Sequence, residues 1–139
     1  MVAVLWLAAS LAGAWLSVDR KLPYDLGAID VAGRRDQVAD DWLFGWGTAL
    51  AVPLAVVALM AVLAVLCTQP GGFGRVGTFV IALLGGASLA YTLGNRRTHT
   101  RLSHLAADRV EAVVVIGTLA TAGLLVLLGL GSWAMARRD

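Results

Sequence analysis

The residues best suited to chemistry lie in one polar segment, residues 94–111, which contains both histidines of the chain. If Ser103 caps a helix that starts there, His104, Asp108 and Glu111 share one helix face at positions i, i+4 and i+7. An imidazole beside two carboxylates is a donor set for a metal ion or for acid–base chemistry. We favour a simpler interpretation, a solvated helix start whose acidic side chains interact with the positive end of the helix.

The same segment carries four arginines, which are predicted to contact anionic lipid phosphates at a membrane surface. They are Arg96, Arg97, Arg101 and Arg109. Each basic residue near such a surface contributes about 1 kcal/mol to binding. A surface that binds lipid headgroups is therefore the second candidate site.

The remaining residues point away from cofactor and nucleic-acid chemistry. Cys67 is the only cysteine, which excludes an internal disulfide and a thiolate cluster within one chain. Haem held between helices would need axial ligands inside the apolar runs, and neither histidine lies there. A net charge of +2 gives no basis for nucleic-acid binding. We therefore predict no cofactor, no metal ion and no catalytic residue.

Long apolar runs must position these polar segments. The clearest covers residues 43–67, twenty-five residues with no ionisable side chain except the terminal thiol. As a helix it would exceed the roughly 30 Å hydrocarbon core of a bilayer. Three further runs lack charged residues, namely 2–18, 76–93 and 112–136.

The segments between the runs are too short to form a separate soluble domain. They cover residues 19–42, 68–75 and 94–111. The sequence therefore predicts an all-α, polytopic integral membrane protein, with one domain over residues 1–139 and a bundle of four transmembrane helices. The first run has the small residues of a signal-peptide cleavage site, but no Lys or Arg precedes Arg20, so we expect this helix to be retained.

The distribution of basic residues predicts the orientation. Segments 19–42 and 94–111 hold four Lys or Arg residues each, whereas the 68–75 turn and the C-terminus together hold three. The positive-inside rule then places both long segments in the cytoplasm and both termini outside. Trp15, Trp42 and Trp46 lie near the ends of apolar runs, where indole rings prefer the headgroup level. The Ala, Val, Leu and Gly bias is typical of a GC-rich bacterial genome, so the membrane is predicted to be the inner (plasma) membrane.

The apolar runs contain few polar groups. Thr48, Ser88, Thr118 and Thr121 can all hydrogen-bond to carbonyls of their own helices, and they need no functional explanation. The absence of ionisable side chains from the runs argues against proton-coupled transport and against catalysis within the membrane. Pro53 removes one backbone donor and predicts a kink in the second helix.

Small residues recur at four-residue spacing, which is typical of helices in close contact. The two clearest sets are Gly47, Ala51 and Ala55 in the second run and Gly86, Ala90 and Gly94 in the third. Contact within the chain and contact with another subunit both fit this spacing. The sets are therefore predicted to be helix-packing faces.

Three functions compete on these grounds. The leading one is a non-catalytic accessory or scaffold subunit, whose partner is another membrane protein or a second copy. The first alternative is a small homo-oligomeric transporter or channel, in which Pro53 and the glycine-rich third helix supply mobility. The second alternative is a module that binds anionic lipids at the cytoplasmic face, or an enzyme acting there. Membrane lipids are expected partners in every case.

Overall fold

The structure is a computed structural model that describes residues 1–27, 29–69, 72–103 and 108–135. These residues form six helices and one pair of two-residue strands. The helices are α1 (Val2–Asp19), α2 (Val38–Phe44), α3 (Leu54–Leu66), α4 (Gly72–Gly94), α5 (Arg96–Ser103) and α6 (Arg109–Met135). The strands are β1 (Asp25–Leu26) and β2 (Val31–Ala32).

Three helices are long and apolar enough to cross a membrane. They are α1 with 18 residues, α4 with 23 and α6 with 27. Large apolar side chains cover their outer surfaces, and on α6 these include Ile116, Leu124 and Leu127. An exposed apolar surface of this extent is unusual on a soluble monomer and is typical of contact with lipid. The described chain is thus helical, as the sequence predicts.

The predicted continuous helix over residues 43–67 is wrong. α2 ends at Phe44, residues 45–53 are not helical, and α3 begins at Leu54. With 13 residues, α3 extends only about 20 Å, less than the hydrocarbon core. Pro53 does not kink a helix, because it lies immediately before α3, where a missing N–H costs no helical hydrogen bond.

The helix bundle consists of α1, α3, α4 and α6. α3 and α6 each pack against both α1 and α4, and α4 and α6 share the most extensive contact. Glycines allow that approach, since a Cβ at Gly129 would lie 2.8 Å from the Cβ of Ala82. We call the end at which α1 and α4 finish and α6 begins the loop end, and the opposite end the far end. An apolar core lies between the helices toward the far end, and it includes Trp6, Val57, Met60, Ile81, Ala122 and Leu125.

The two long polar segments meet at the loop end. β1 pairs antiparallel with β2, with Leu26 opposite Val31, and Leu26 also forms a bridge with Asn95, just after α4. The amide of Gly27 donates a hydrogen bond to the carbonyl oxygen of Gly94 at 3.2 Å. The described parts of segments 19–42 and 94–111 therefore form one continuous surface.

Candidate functional site

The least regular backbone within the helix bundle is residues 45–53, which we call the broken segment. Every residue from Gly47 to Val52 is buried. The segment packs beside Gly13 of α1, which lies six residues, or about 9 Å, before the end of that helix. A Cβ at Gly13 would overlap the carbonyl oxygen of Leu50, so only glycine admits the segment at this depth. Non-helical backbone is tolerated inside a membrane where protein covers it, and protein covers this segment.

Local residue chemistry explains why the helix stops. Gly47 has φ of +96°, a conformation that side chains other than glycine rarely adopt. The hydroxyl oxygen of Thr48 accepts a hydrogen bond from the amide of Ala51 at 3.1 Å, which competes with helical bonding. Gly47 and Ala51 therefore do not share a helix with Ala55, and the predicted packing face of these three residues is wrong.

Side chains from α4 and from the residue after it hold the broken segment in place. The Tyr91 hydroxyl donates to the carbonyl oxygen of Thr48 at 2.8 Å. The Asn95 amide nitrogen donates to the carbonyl oxygen of Ala49 at 3.3 Å, and Asn95 is completely buried. The amide of Ala49 donates to the carbonyl oxygen of Leu22, again at 3.3 Å. These bonds satisfy peptide groups that the missing helix leaves without partners.

An ion cluster closes the loop end between α1 and α6. The Arg20 guanidinium pairs with the carboxylates of Asp108 and Glu111, the latter at 2.9 Å. Glu111 is only 3 % exposed, so an ionisable group does lie inside the described bundle, at the start of α6. Asp108 also accepts hydrogen bonds from the amides of Val110 and Glu111, which caps α6. The Glu111 amide, and with it Arg20, holds the pKa of the Asp108 carboxyl below its ordinary value of 3.8.

The predicted cluster of His104, Asp108 and Glu111 is described only at its two acidic residues, and as a site it stays a prediction. Asp108 and Glu111 do come together, and the group that joins them is Arg20, which the sequence argument does not single out. His104 lies outside the described residues. The hydroxyl of Ser103 cannot be assigned the capping role, because its side chain is also outside the description, whereas Asp108 demonstrably caps α6.

Of the four predicted headgroup arginines, the structure describes the side chains of Arg96 and Arg109. Arg96 lies 3.7 Å from the Asp30 carboxylate and packs against Gly27. Arg109 is exposed at the first turn of α6. The side chains of Arg97 and Arg101 lie outside the description. Arg96 is thus already paired with an acidic residue of segment 19–42.

Several polar groups between the helices have no hydrogen-bond partner among the described residues. Thr118 and Thr121 donate to carbonyls of their own helix, at 2.9 Å to Val114 and 2.7 Å to Gly117, as predicted. The Ser88 hydroxyl does not, although it is almost completely buried. The Trp6 indole nitrogen and the hydroxyls of Ser10 and Ser17 on α1 share this condition. Buried polar groups without partners are uncommon in proteins and point to a functional or solvent contact.

The second predicted packing face lies on the outside of α4. A Cβ at Gly94 would meet nothing within 4 Å, and one at Gly86 would reach only a methyl of Val126, at 4.0 Å. Ala90 is exposed. We call these three residues the α4 outer edge. The described chain packs α4 through a different face, which includes Gly85.

Comparisons with protein families, with curated proteins and with solved structures find no match for this chain. The observed features therefore define the class by themselves: a helical protein with three candidate membrane spans, a short fourth apolar helix and a buried broken segment. Within the described residues, no three His, Cys, Asp or Glu side chains are grouped closely enough to hold a metal ion.

Proposed function

We propose that the chain is an integral protein of the plasma membrane, in which α1, α4 and α6 cross the bilayer and α3 with the broken segment occupies the fourth position. This arrangement covers the depth that α3 alone does not reach, and it keeps the peptide groups of the broken segment away from lipid. The basic residues support an orientation with both long segments in the cytoplasm and both termini outside. Reporter fusions after Arg101 and after Asp139 test it, since an external reporter at Arg101 contradicts the proposal.

Within that membrane, the protein acts as a non-catalytic accessory or scaffold subunit that packs against a further helix. The observation that carries this proposal is the α4 outer edge, where side chains at Gly86 and Gly94 would meet almost nothing among the described residues and Ala90 is exposed. In lipid, helices associate through close dispersion contacts, and small residues allow them. A partner helix, from another protein or from a second copy, fits this edge.

Crosslinking and substitution at the α4 outer edge test the accessory role. In a Cys67→Ser background, Ala90→Cys should crosslink in native membranes to one defined chain. The double substitution Gly86→Leu with Ala90→Leu should abolish the complex seen after mild detergent extraction, while helicity and melting temperature stay unchanged. Ala120→Leu, on the exposed surface of α6, is the matched control and should keep the complex. A lone monomer in native membranes contradicts the role.

A second candidate, a small transporter or channel, is favoured by a different observation. Discontinuous membrane helices commonly form the substrate sites of transporters, and the broken segment interrupts an apolar run in this way. Unpartnered hydroxyls of Ser10 and Ser88 lie on two of the helices that surround α3 and α6. A polar solute could bond to them.

Flux measurements in proteoliposomes separate this candidate from the first. A panel of apolar and cationic solutes should show protein-dependent uptake, and Ser10→Ala with Ser88→Ala should reduce it. Ser132→Ala is the control, because that hydroxyl bonds to its own helix at Gly129. A verified oligomer without flux removes the transporter.

The third candidate, a lipid-binding module or enzyme at the arginines of segment 94–111, gains less support. Arg96 is engaged with Asp30, which partly neutralises it. Replacing Arg96, Arg97, Arg101 and Arg109 with glutamine tests the binding version. Unchanged retention of anionic lipid rejects it.

A further inference from the structure

A second basic site lies at the loop end, away from segment 94–111. It is a cavity of about 300 Å³ between the end of α1 and the start of α2. Its lining consists of Val18, Lys21, Arg35, Asp36, Val38 and Ala39. We call it the α1–α2 pocket. Two cations from separate elements thus converge on one concave surface.

Lys21 lies at a backbone position where glycine would be easier to accommodate. The amide of Lys21 donates to the Val18 carbonyl at 3.2 Å, and the amide of Leu22 donates to the Ser17 carbonyl at 2.8 Å. This is the Schellman pattern, which ends helices with one residue in the left-handed conformation, usually glycine. Lys21 has φ of +52° and bears the steric cost of that conformation. A strained non-glycine residue at such a position points to a use for its side chain.

The two cations of the pocket have no acidic partner. Among the described residues, Arg20, Arg34 and Arg96 form ion pairs, whereas neither Lys21 nor Arg35 does. The one carboxylate in the lining, Asp36, lies 3.4 Å from Arg34. The pocket therefore presents two cations and one carboxylate, and one of the cations is a guanidinium suited to two parallel bonds with phosphate oxygens.

The height of the pocket matches the lipid phosphates. Val18 belongs to the last turn of α1 and is 38 % exposed. Trp15, about one turn earlier, is 70 % exposed, and exposed indoles prefer the interface between headgroups and acyl chains. Lys21 and Arg35 therefore lie just beyond that interface, with an apolar side chain on the membrane side of the pocket.

We propose that the α1–α2 pocket binds the headgroup phosphate of an anionic phospholipid, with Lys21 and Arg35 contacting the phosphate and Val18 contacting the glycerol and the first acyl carbons. This site goes beyond the proposed accessory role and does not depend on a protein partner. It also differs from the four-arginine surface, with which it shares no residue.

Lipid binding by the detergent-solubilised full chain tests the proposal, with dioleoyl phosphatidylglycerol as the probe and dioleoyl phosphatidylcholine as the neutral reference. Lys21→Gln and Arg35→Gln should each weaken phosphatidylglycerol binding about fivefold, and the double variant about 25-fold. Arg75→Gln is the control, an exposed arginine at the far end that belongs to neither proposed lipid site, and it should change binding less than twofold. Equal losses in the control would show general attraction and overturn the site, as would no loss in the double variant.

Lys21→Gly separates binding from a structural role. It removes the strain at φ of +52°, so the melting temperature should rise while phosphatidylglycerol binding falls about fivefold. A lysine that only supports the fold would give a lower melting temperature, which overturns the proposal. Glycerol 3-phosphate provides the last comparison, because a site for lipid should not release phosphatidylglycerol at equal concentrations of it. Competition at equal concentration would assign the pocket to a soluble phosphate instead.

Discussion

The two halves of the helix bundle are held together by different chemistry. Toward the far end, regular helices pack through apolar side chains and close glycine contacts, as at Gly129 against Ala82. Toward the loop end, the backbone is irregular and polar contacts hold it, including Tyr91 to Thr48 and Arg20 to Glu111. The far half therefore depends on close apolar packing, whereas the loop half depends on individual polar contacts.

The difference shows where this fold can accommodate change. Packing contacts are numerous and individually weak, so the stability of the far half is spread over many apolar side chains. Each buried peptide group of the broken segment, by contrast, needs a specific partner, because an unmet one costs about 1–3 kcal/mol. Such regions are commonly where binding sites form, since their geometry can differ between two states. The comparison can be tested by substitutions confined to one half.

The largest expected effect comes from Gly13→Leu. The side chain would occupy the position of the Leu50 carbonyl, so the broken segment must move, at a cost of about 3 kcal/mol or more. Unfolding in mixed detergent micelles, followed by circular dichroism, measures the loss. Gly123→Leu is the control, because nothing lies within 4 Å of its Cβ position, and it should change stability by less than about 0.5 kcal/mol.

The reactivity of the Cys67 thiol shows whether the far half of the bundle has opened. A Cβ at Gly77 would lie 3.0 Å from the Cys67 sulfur, which places this thiol against α4 at the far end. Gly13→Leu should leave its reaction rate with maleimide unchanged, whereas Gly129→Leu should increase it. Equal rates in the two variants would mean that the halves do not behave separately.

The contrast between halves also explains what the sequence could and could not predict. Lengths of apolar runs suffice for α1, α4 and α6, because helix length and hydropathy are local properties. They do not suffice for residues 45–53, where three distributed signals, Gly47, Thr48 and Pro53, together stop the helix. Hydropathy averages over such signals, so it predicts a continuous helix there.

The candidate site was less predictable for a related reason. Asp108 and Glu111 are near each other in the sequence, so their proximity could be anticipated, but Arg20 lies 88 residues from Asp108. No local pattern links it to them. Similarly, the spacing of Gly86, Ala90 and Gly94 predicts a packing face, which stays a prediction, and only the structure shows that side chains at Gly86 and Gly94 would meet almost nothing among the described residues.

The next largest effect is expected from Arg20→Ala, which leaves Glu111 buried without its cation. Because about a third of the Arg20 side chain is exposed, the loss of stability should be smaller than that from breaking a fully buried pair. Arg34→Ala removes a pair in which both partners are mostly exposed, and it should cost less than about 0.5 kcal/mol. Adding Glu111→Gln to Arg20→Ala should recover part of the loss. Failure to recover any would show that Arg20 acts by packing rather than by charge.

A smaller effect is expected from Tyr91→Phe. The substitution leaves the Thr48 carbonyl without its 2.8 Å donor and should cost about 1 kcal/mol. Thr121→Val also deletes a hydroxyl, but one that bonds only within its own helix, and it should be close to neutral. Chemical denaturation in detergent compares the two. Equal costs would contradict the view that polar contacts matter chiefly toward the loop end.

The smallest expected effect is a change in melting temperature at acidic pH. The pKa of Asp108 is lowered in the folded chain, chiefly by the Glu111 amide, so its contribution to stability is complete above the ordinary pKa of 3.8 and is lost as the pH falls below it. The pKa of Asp41 is instead raised, first by burial and then by Asp40 and Asp36. Ionisation of Asp41 therefore destabilises the fold as the pH rises above the ordinary pKa of 3.8. Asp108→Asn keeps a capping oxygen and should reduce the fall in melting temperature below pH 4, whereas Asp41→Asn should raise the melting temperature at pH 7. If the melting temperature of Asp108→Asn falls as much as that of the unsubstituted protein down to pH 3, the charge of Asp108 adds nothing to the cap.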